Sequence, residues 1–141
     1  MRAKDKVSLL RQGIKKAEKE KHWVLVDSMY TELHTLINRN SITIRDHACA
    51  IANAGDTARA ATMLRKSLRL SPEDPVTKLN LGRMYQTQKR YREAELLFRE
   101  VLKTDPKNLN AIIFLVQTIE RNDQENKLNK AWSKKSEKEA I

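Results

Sequence analysis

Apolar residues in this chain recur every three or four positions, a helical rather than an alternating spacing. Val7, Leu10, Ile14 and Ala17 fall on one face of a helix over roughly 1–20, with lysines on the other. Trp23, Val26, Tyr30, Leu33 and Ile37 step by three and four, predicting a second helix. Asn38-Arg39-Asn40-Ser41 is a polar connector in which Ser41 is placed to cap the next helix. That helix, roughly 42–53, is less clearly patterned, because Asp46 and His47 interrupt its apolar face. The pattern resumes over 57–70 and breaks again at Ser71-Pro72-Glu73-Asp74-Pro75. Two helices and a tight turn fill 75–108, the first with Leu81, Gly82 and Tyr85 on one face. The second carries Tyr91, Ala94, Leu97, Phe98, Val101 and Leu102, and Asp105-Pro106 ends it, since proline cannot continue a helix. Beyond it lie an apolar segment, 109–121, and a charged one, 124–139, with Leu128, Ala131 and Trp132 on one side. An all-α chain follows.

The pattern also repeats. Pro106 lies 34 residues after Pro72, and the same step carries Ala94, Phe98 and Leu102 back to Ala60, Leu64 and Leu68. Gly82 and Tyr85 step back to Ala48 and Ile51; Leu81, Tyr85, Ala94 and Phe98 step forward to Leu115, Ile119, Leu128 and Trp132. Two steps back from Tyr91, Phe98 and Val101 stand Trp23, Tyr30 and Leu33. The order of Leu-Gly, Tyr, Ala, Phe and Pro over 75–108 resembles a tetratricopeptide repeat, whose period is 34 residues. Gly82 and Ala94 are expected where its two helices approach closely.

The resemblance implies a right-handed α-solenoid of stacked antiparallel helix pairs, about eight helices in all. The expected layout is one domain over 1–141 with four units: 7–40, 41–74, 75–108 and 109–141. The third matches best, the second well; the first and fourth are degenerate, and the fourth ends in a capping helix. In that register Trp23 and Trp132 are interior knobs rather than stacking platforms for bases.

Charge adds a partner class. The net charge of +10 is concentrated in residues 1–21 (eight Lys/Arg against three acids) and 75–121 (nine against five). A charge of this size attracts acidic partners: protein, RNA or a membrane surface. The single cysteine, Cys49, excludes an intramolecular disulfide and fits a reducing compartment, so a cytoplasmic location is expected. No apolar run reaches membrane-spanning length, and the charged N-terminus lacks the core of a secretory signal.

Catalytic chemistry is not expected. Gly13, Gly55 and Gly82 make no phosphate-binding loop. His22, His34 and His47 have no cysteine partners at metal-ligand spacing, and are expected in ordinary packing or solvent roles. Cys49 is expected as a small packed or groove-lining residue. No cofactor or metal is called for.

In proteins of this resemblance, the first helix of each pair lines a concave wall that binds extended segments. Carried over by register, the groove takes Arg11 and Lys15, then Arg45 and Asn53, then Leu79, Arg83 and Gln86, then Ile113 and Gln117. Arg11, Lys15, Arg45 and Arg83 form a ladder of positive charge, with Leu79 and Ile113 as apolar pockets. One subfamily clamps the carboxylate of chaperone tails; Arg45 and Asn80 match two of its places loosely, but Cys49, Asn110 and Phe114 do not. The expected function is therefore a non-enzymatic adaptor that binds an acidic protein segment without that clamp. The alternative is an RNA-associated helical-repeat protein, weakened by scarce exposed aromatics. Self-association through the apolar 109–121 helix is a third expectation.

Overall fold

The computed structural model describes residues 1–140, and among them all regular structure is α-helical. Seven helices follow one another: α1 (Ala3–Lys19), α2 (Trp23–Leu36), α3 (Ser41–Asn53), α4 (Thr57–Leu70), α5 (Pro75–Thr87), α6 (Tyr91–Thr104) and α7 (Leu109–Glu139). The chain divides into two compact units, Met1–Asn80 and from Leu81 onward, with the division inside α5.

The repeat is written into the backbone. Lys21, Gly55 and Lys89 are the residues with positive φ, and they stand 34 residues apart, one in each tight turn. Each turn closes the same way: His22 N–H donates to Ala17 O, Asp56 N–H to Ile51 O, and Arg90 N–H to Tyr85 O. This left-handed closure of a helix end suits glycine, and Gly55 meets it at φ 98° without a side-chain penalty. The starts of α3, α5 and α7 share a second signal at the same interval. Asn40 Oδ1 accepts from Thr43 N–H (2.9 Å), Asp74 Oδ1 from Val76 N–H (3.0 Å) and Asn108 Oδ1 from Ala111 N–H (3.0 Å). Each satisfies an amide that the first helical turn leaves without a partner. Asn40 therefore does the capping expected of Ser41, which is already the first helical residue.

In Met1–Asn80 the core is formed by Ile14 and Ala17 of α1, Val26, Tyr30 and Leu33 of α2, and Ala50 of α3, with Trp23 packed against them. Ile44, Ala48 and Ile51 of α3 and Ala60, Ala61 and Leu64 of α4 are equally buried. In the second unit the core holds Leu81, Tyr85, Ala94, Phe98, Val101 and Ala111. Gly82 is required there: a Cβ at this position would lie 2.5 Å from Cε1 of Phe98. The close approach expected at Gly82 is thus made to an aromatic ring.

The last expected pair takes a different form. Residues 109–121 and 124–139 are one continuous helix, α7, because no glycine or proline interrupts them. Its first half buries Ala111 and Thr118. Its second half turns back on nothing, so Leu128 and Trp132, expected inside, are 66% and 69% exposed.

Candidate functional site

α1 presents the site-forming face of Met1–Asn80. Ile14 and Ala17 point inward, which leaves Arg11 and Lys15 on the exposed side of the helix. Both border a cavity of about 410 Å³ with Ile14 and Leu33 as apolar wall and Glu18, Tyr30, Thr43 and Asp46 as polar wall. The Tyr30 hydroxyl donates to Glu18 Oε1 at 3.5 Å. Burial, then the Glu18 and Asp46 carboxylates, push the Tyr30 phenol well above its ordinary range, so it stays a neutral donor. The cavity thus offers two exposed cations, an apolar wall and two carboxylates.

Farther along the expected ladder the charge is already matched. Arg45 is half-buried, its Nη1 3.0 Å from Asp74 Oδ2 and its Nε 3.5 Å from Asp46 Oδ1. Burial works against the Asp74 carboxylate, but the Thr77 hydroxyl, Arg45 and the Val76 amide outweigh it and hold its pKa below the usual value. Arg45 therefore fastens the start of α5. Asn80 Nδ2 donates to Cys49 Sγ at 3.3 Å, and burial, followed by Asp46, pushes the thiol up, away from its nucleophilic form. Asn53 is exposed and Leu79 half-buried.

In the second unit Arg83 is exposed, its guanidinium 4.9 Å from the centre of the Phe114 ring. Ile113 and Gln117 are exposed on α7. Gln86 is different: it is buried, and its amide nitrogen donates to Phe114 O (3.0 Å) and Thr118 Oγ1 (2.7 Å). It ties α5 to α7, a packing role in place of the ligand contact expected of it. Arg11 and Lys15 share one cavity; the remaining expected positions are spread over α3, α5 and α7.

A polar cluster absent from the expected site lies between α2, α3 and α4. His47 Nε2 is 2.7 Å from Asp27 Oδ1, and Arg59 donates from Nη1 to Oδ2 (2.7 Å) and from Nη2 to Oδ1 (3.2 Å) of the same carboxylate. The hydrogen bond from Arg59 is the main cause that holds Asp27 below its ordinary pKa. The His47 ring stacks on Tyr30 at 5.0 Å between centroids, and His34 lies 5.3 Å from it. His47 stands one repeat before Leu81, an interior place. A histidine at an interior register was the available signal.

A tetratricopeptide repeat model matches residues 52–110. Those residues match that family, and the chain has the fold of tetratricopeptide repeat domains. Its fold is similar to that of the tetratricopeptide repeat domain of Arabidopsis OM64, at 21% identity and a TM-score of 0.75, over 85% of this chain and 99% of that one. It is also similar to the second such domain of human RPAP3, solved in complex with the HSP70 peptide SGPTIEEVD, at 16% identity and a TM-score of 0.72, over 83% and 98%. A protein O-mannosyl-transferase of Caenorhabditis elegans is 30% identical over 87 residues, which are 62% of this chain. The chain spans only 12% of that protein's length. No helix among the described residues is long and apolar enough to cross a membrane.

Proposed function

We propose that this chain is a non-enzymatic protein-interaction module that binds an extended, acidic peptide segment. The observation that carries this reading is the α1 cavity, where Arg11 and Lys15 stand exposed beside the apolar Ile14 and Leu33. Such a surface suits a peptide with a carboxylate for each cation and an apolar side chain between them. The peptide held by the RPAP3 domain has that composition, with two glutamates, an aspartate and apolar Ile and Val. Recognition here differs from a carboxylate clamp built on Arg45 and Asn80, since those side chains already hold Asp74 and Cys49. Asn53, Leu79, Arg83, Ile113 and Gln117 are proposed as further contact positions, each within its own unit, and the cytoplasm as the place of action.

The exposed Leu109, Ile112, Ile113, Val116 and Ile119 of α7 support a second reading, self-association through that helix. Sedimentation over a range of concentrations tests it directly.

For the main reading, anisotropy of a labelled acidic peptide and of a labelled RNA oligonucleotide should be followed across salt. A peptide held partly by apolar contact loses affinity gently with salt, whereas RNA binding falls steeply because counterions are released. The expected result is saturable peptide binding that survives physiological salt. RNA binding that exceeds it there would make this a nucleic-acid-associated repeat protein instead.

A further inference from the structure

Met1–Asn80 contains a second cavity, of about 300 Å³, that has no part in the peptide face. His34 of α2, Arg39 of the α2–α3 connection, His47 of α3, and Arg59 and Lys66 of α4 line it. Five nitrogen bases thus converge on one space.

Their hydrogen bonding is incomplete. His47 is 3% exposed; its Nε2 engages Asp27, but its Nδ1 is buried without a hydrogen-bond partner among the described residues. Both ring nitrogens of His34 are buried and unpartnered in the same way. A neutral imidazole has one donor and one acceptor to satisfy, and native interiors rarely leave such groups unmatched.

The charges are unbalanced too. Asp27 is the carboxylate in contact with this group, and Arg59 and His47 already share it. Arg39 and Lys66 have no ion pair among the described residues. Arg39, Arg59 and Lys66 make the cavity hostile to a metal ion and hospitable to an anion.

We propose that this cavity is an oxyanion site that takes a phosphate or sulfate group, either free or carried on a phosphorylated side chain. Arg39 and Lys66 supply charge-assisted hydrogen bonds, and His34 and His47 supply N–H donors from two further sides. A tetrahedral group fits donors arriving from separate elements better than a flat carboxylate does. Burial above all, then the charges of His47, Arg39 and Lys66, lowers the pKa of His34; at His47 burial again lowers it most, Asp27 opposes, and Arg59 and Arg39 add to the lowering. A bound anion reverses that balance, so binding takes up protons and strengthens as pH falls.

The test uses the intact chain and NMR of its imidazole resonances at constant ionic strength, near pH 7.5 and again near pH 6, on either side of the histidine range. Sodium sulfate is added first, because its charge does not change there; inorganic phosphate and phosphoserine follow. The His34 and His47 resonances should shift saturably, with tighter sulfate binding at the lower pH. In Arg39→Gln/Lys66→Gln, with circular dichroism unchanged, binding should weaken by about tenfold or more, the scale of one lost charged hydrogen bond. Tighter binding of phosphoserine than of phosphate assigns the site to a modified side chain, and the reverse order to the free ion. Imidazole resonances that stay still, or that move equally in the double variant, overturn the proposal.

Discussion

Two cavities of Met1–Asn80, of about 410 and 300 Å³, are built in opposite ways. The α1 cavity has its cations, Arg11 and Lys15, on the exposed side of one helix, and two carboxylates, Glu18 and Asp46, in its wall. The second draws its bases from α2, α3, α4 and a connection, and hides the nitrogens of two histidines. An exposed face on a repeated helix costs little to alter and is free to vary toward a partner. A buried polar cluster is bound up with stability, because each member satisfies or charges another. The first arrangement suits recognition of a chain laid along the surface; the second suits one compact charged group.

Three changes test how separate these regions are. Arg45→Glu should have the largest effect on stability. It places a third carboxylate beside Asp74 and Asp46 where a half-buried ion pair stood, for a loss of about 3 kcal/mol in urea denaturation. An unaltered midpoint would return Arg45 to the open face. Asp27→Asn comes next, at about 2 kcal/mol, since it weakens the charged hydrogen bonds to Arg59 and His47. Affinity for an acidic peptide should stay the same in that variant, and a parallel loss would mean that the two cavities are coupled.

The smallest effect is on pH dependence. Both His34 and His47 titrate below their ordinary 6.5 in the folded chain, so the folded state binds fewer protons than the unfolded one. Their contribution is fully present above about 6.5 and is lost as pH falls through the lower folded values. The melting temperature should drop on acidification through that window, and His34→Gln/His47→Gln should flatten the slope. An unchanged slope in the double variant would place the titration elsewhere.

Much of the fold was legible because period and turn chemistry agree. Ala60, Ala94, Leu64 and Phe98 recur in one register, and all four are buried. Register alone misled at Leu128 and Trp132, since an apolar residue is interior only if a turn brings a partner helix back to it, and α7 has no turn. A stronger signal lay in the polar residues: Asn40, Asp74 and Asn108 are helix caps at the same interval. Arg11 and Lys15 were readable as an exposed face from helix geometry. Arg45 and Gln86 were not, because nothing local announces that Asp74 or Thr118 will come within hydrogen-bonding distance. The Asp27–His47–Arg59 cluster needed contacts across 20 and 32 residues, which a periodic pattern cannot supply.

The most direct measurement titrates one labelled, unphosphorylated acidic peptide against three proteins: the native chain, Arg11→Glu/Lys15→Glu, and Arg39→Gln/Lys66→Gln. Surface changes at Arg11 and Lys15 should move stability by no more than about 0.5 kcal/mol each, so the variant is a clean reporter of binding. Reversed charge on that face should weaken the peptide by about tenfold or more, through repulsion of its carboxylates. The Arg39/Lys66 variant should bind like the native chain. Peptide binding that survives in Arg11→Glu/Lys15→Glu and disappears in Arg39→Gln/Lys66→Gln would contradict the account, and would move recognition from the α1 face to the histidine cavity.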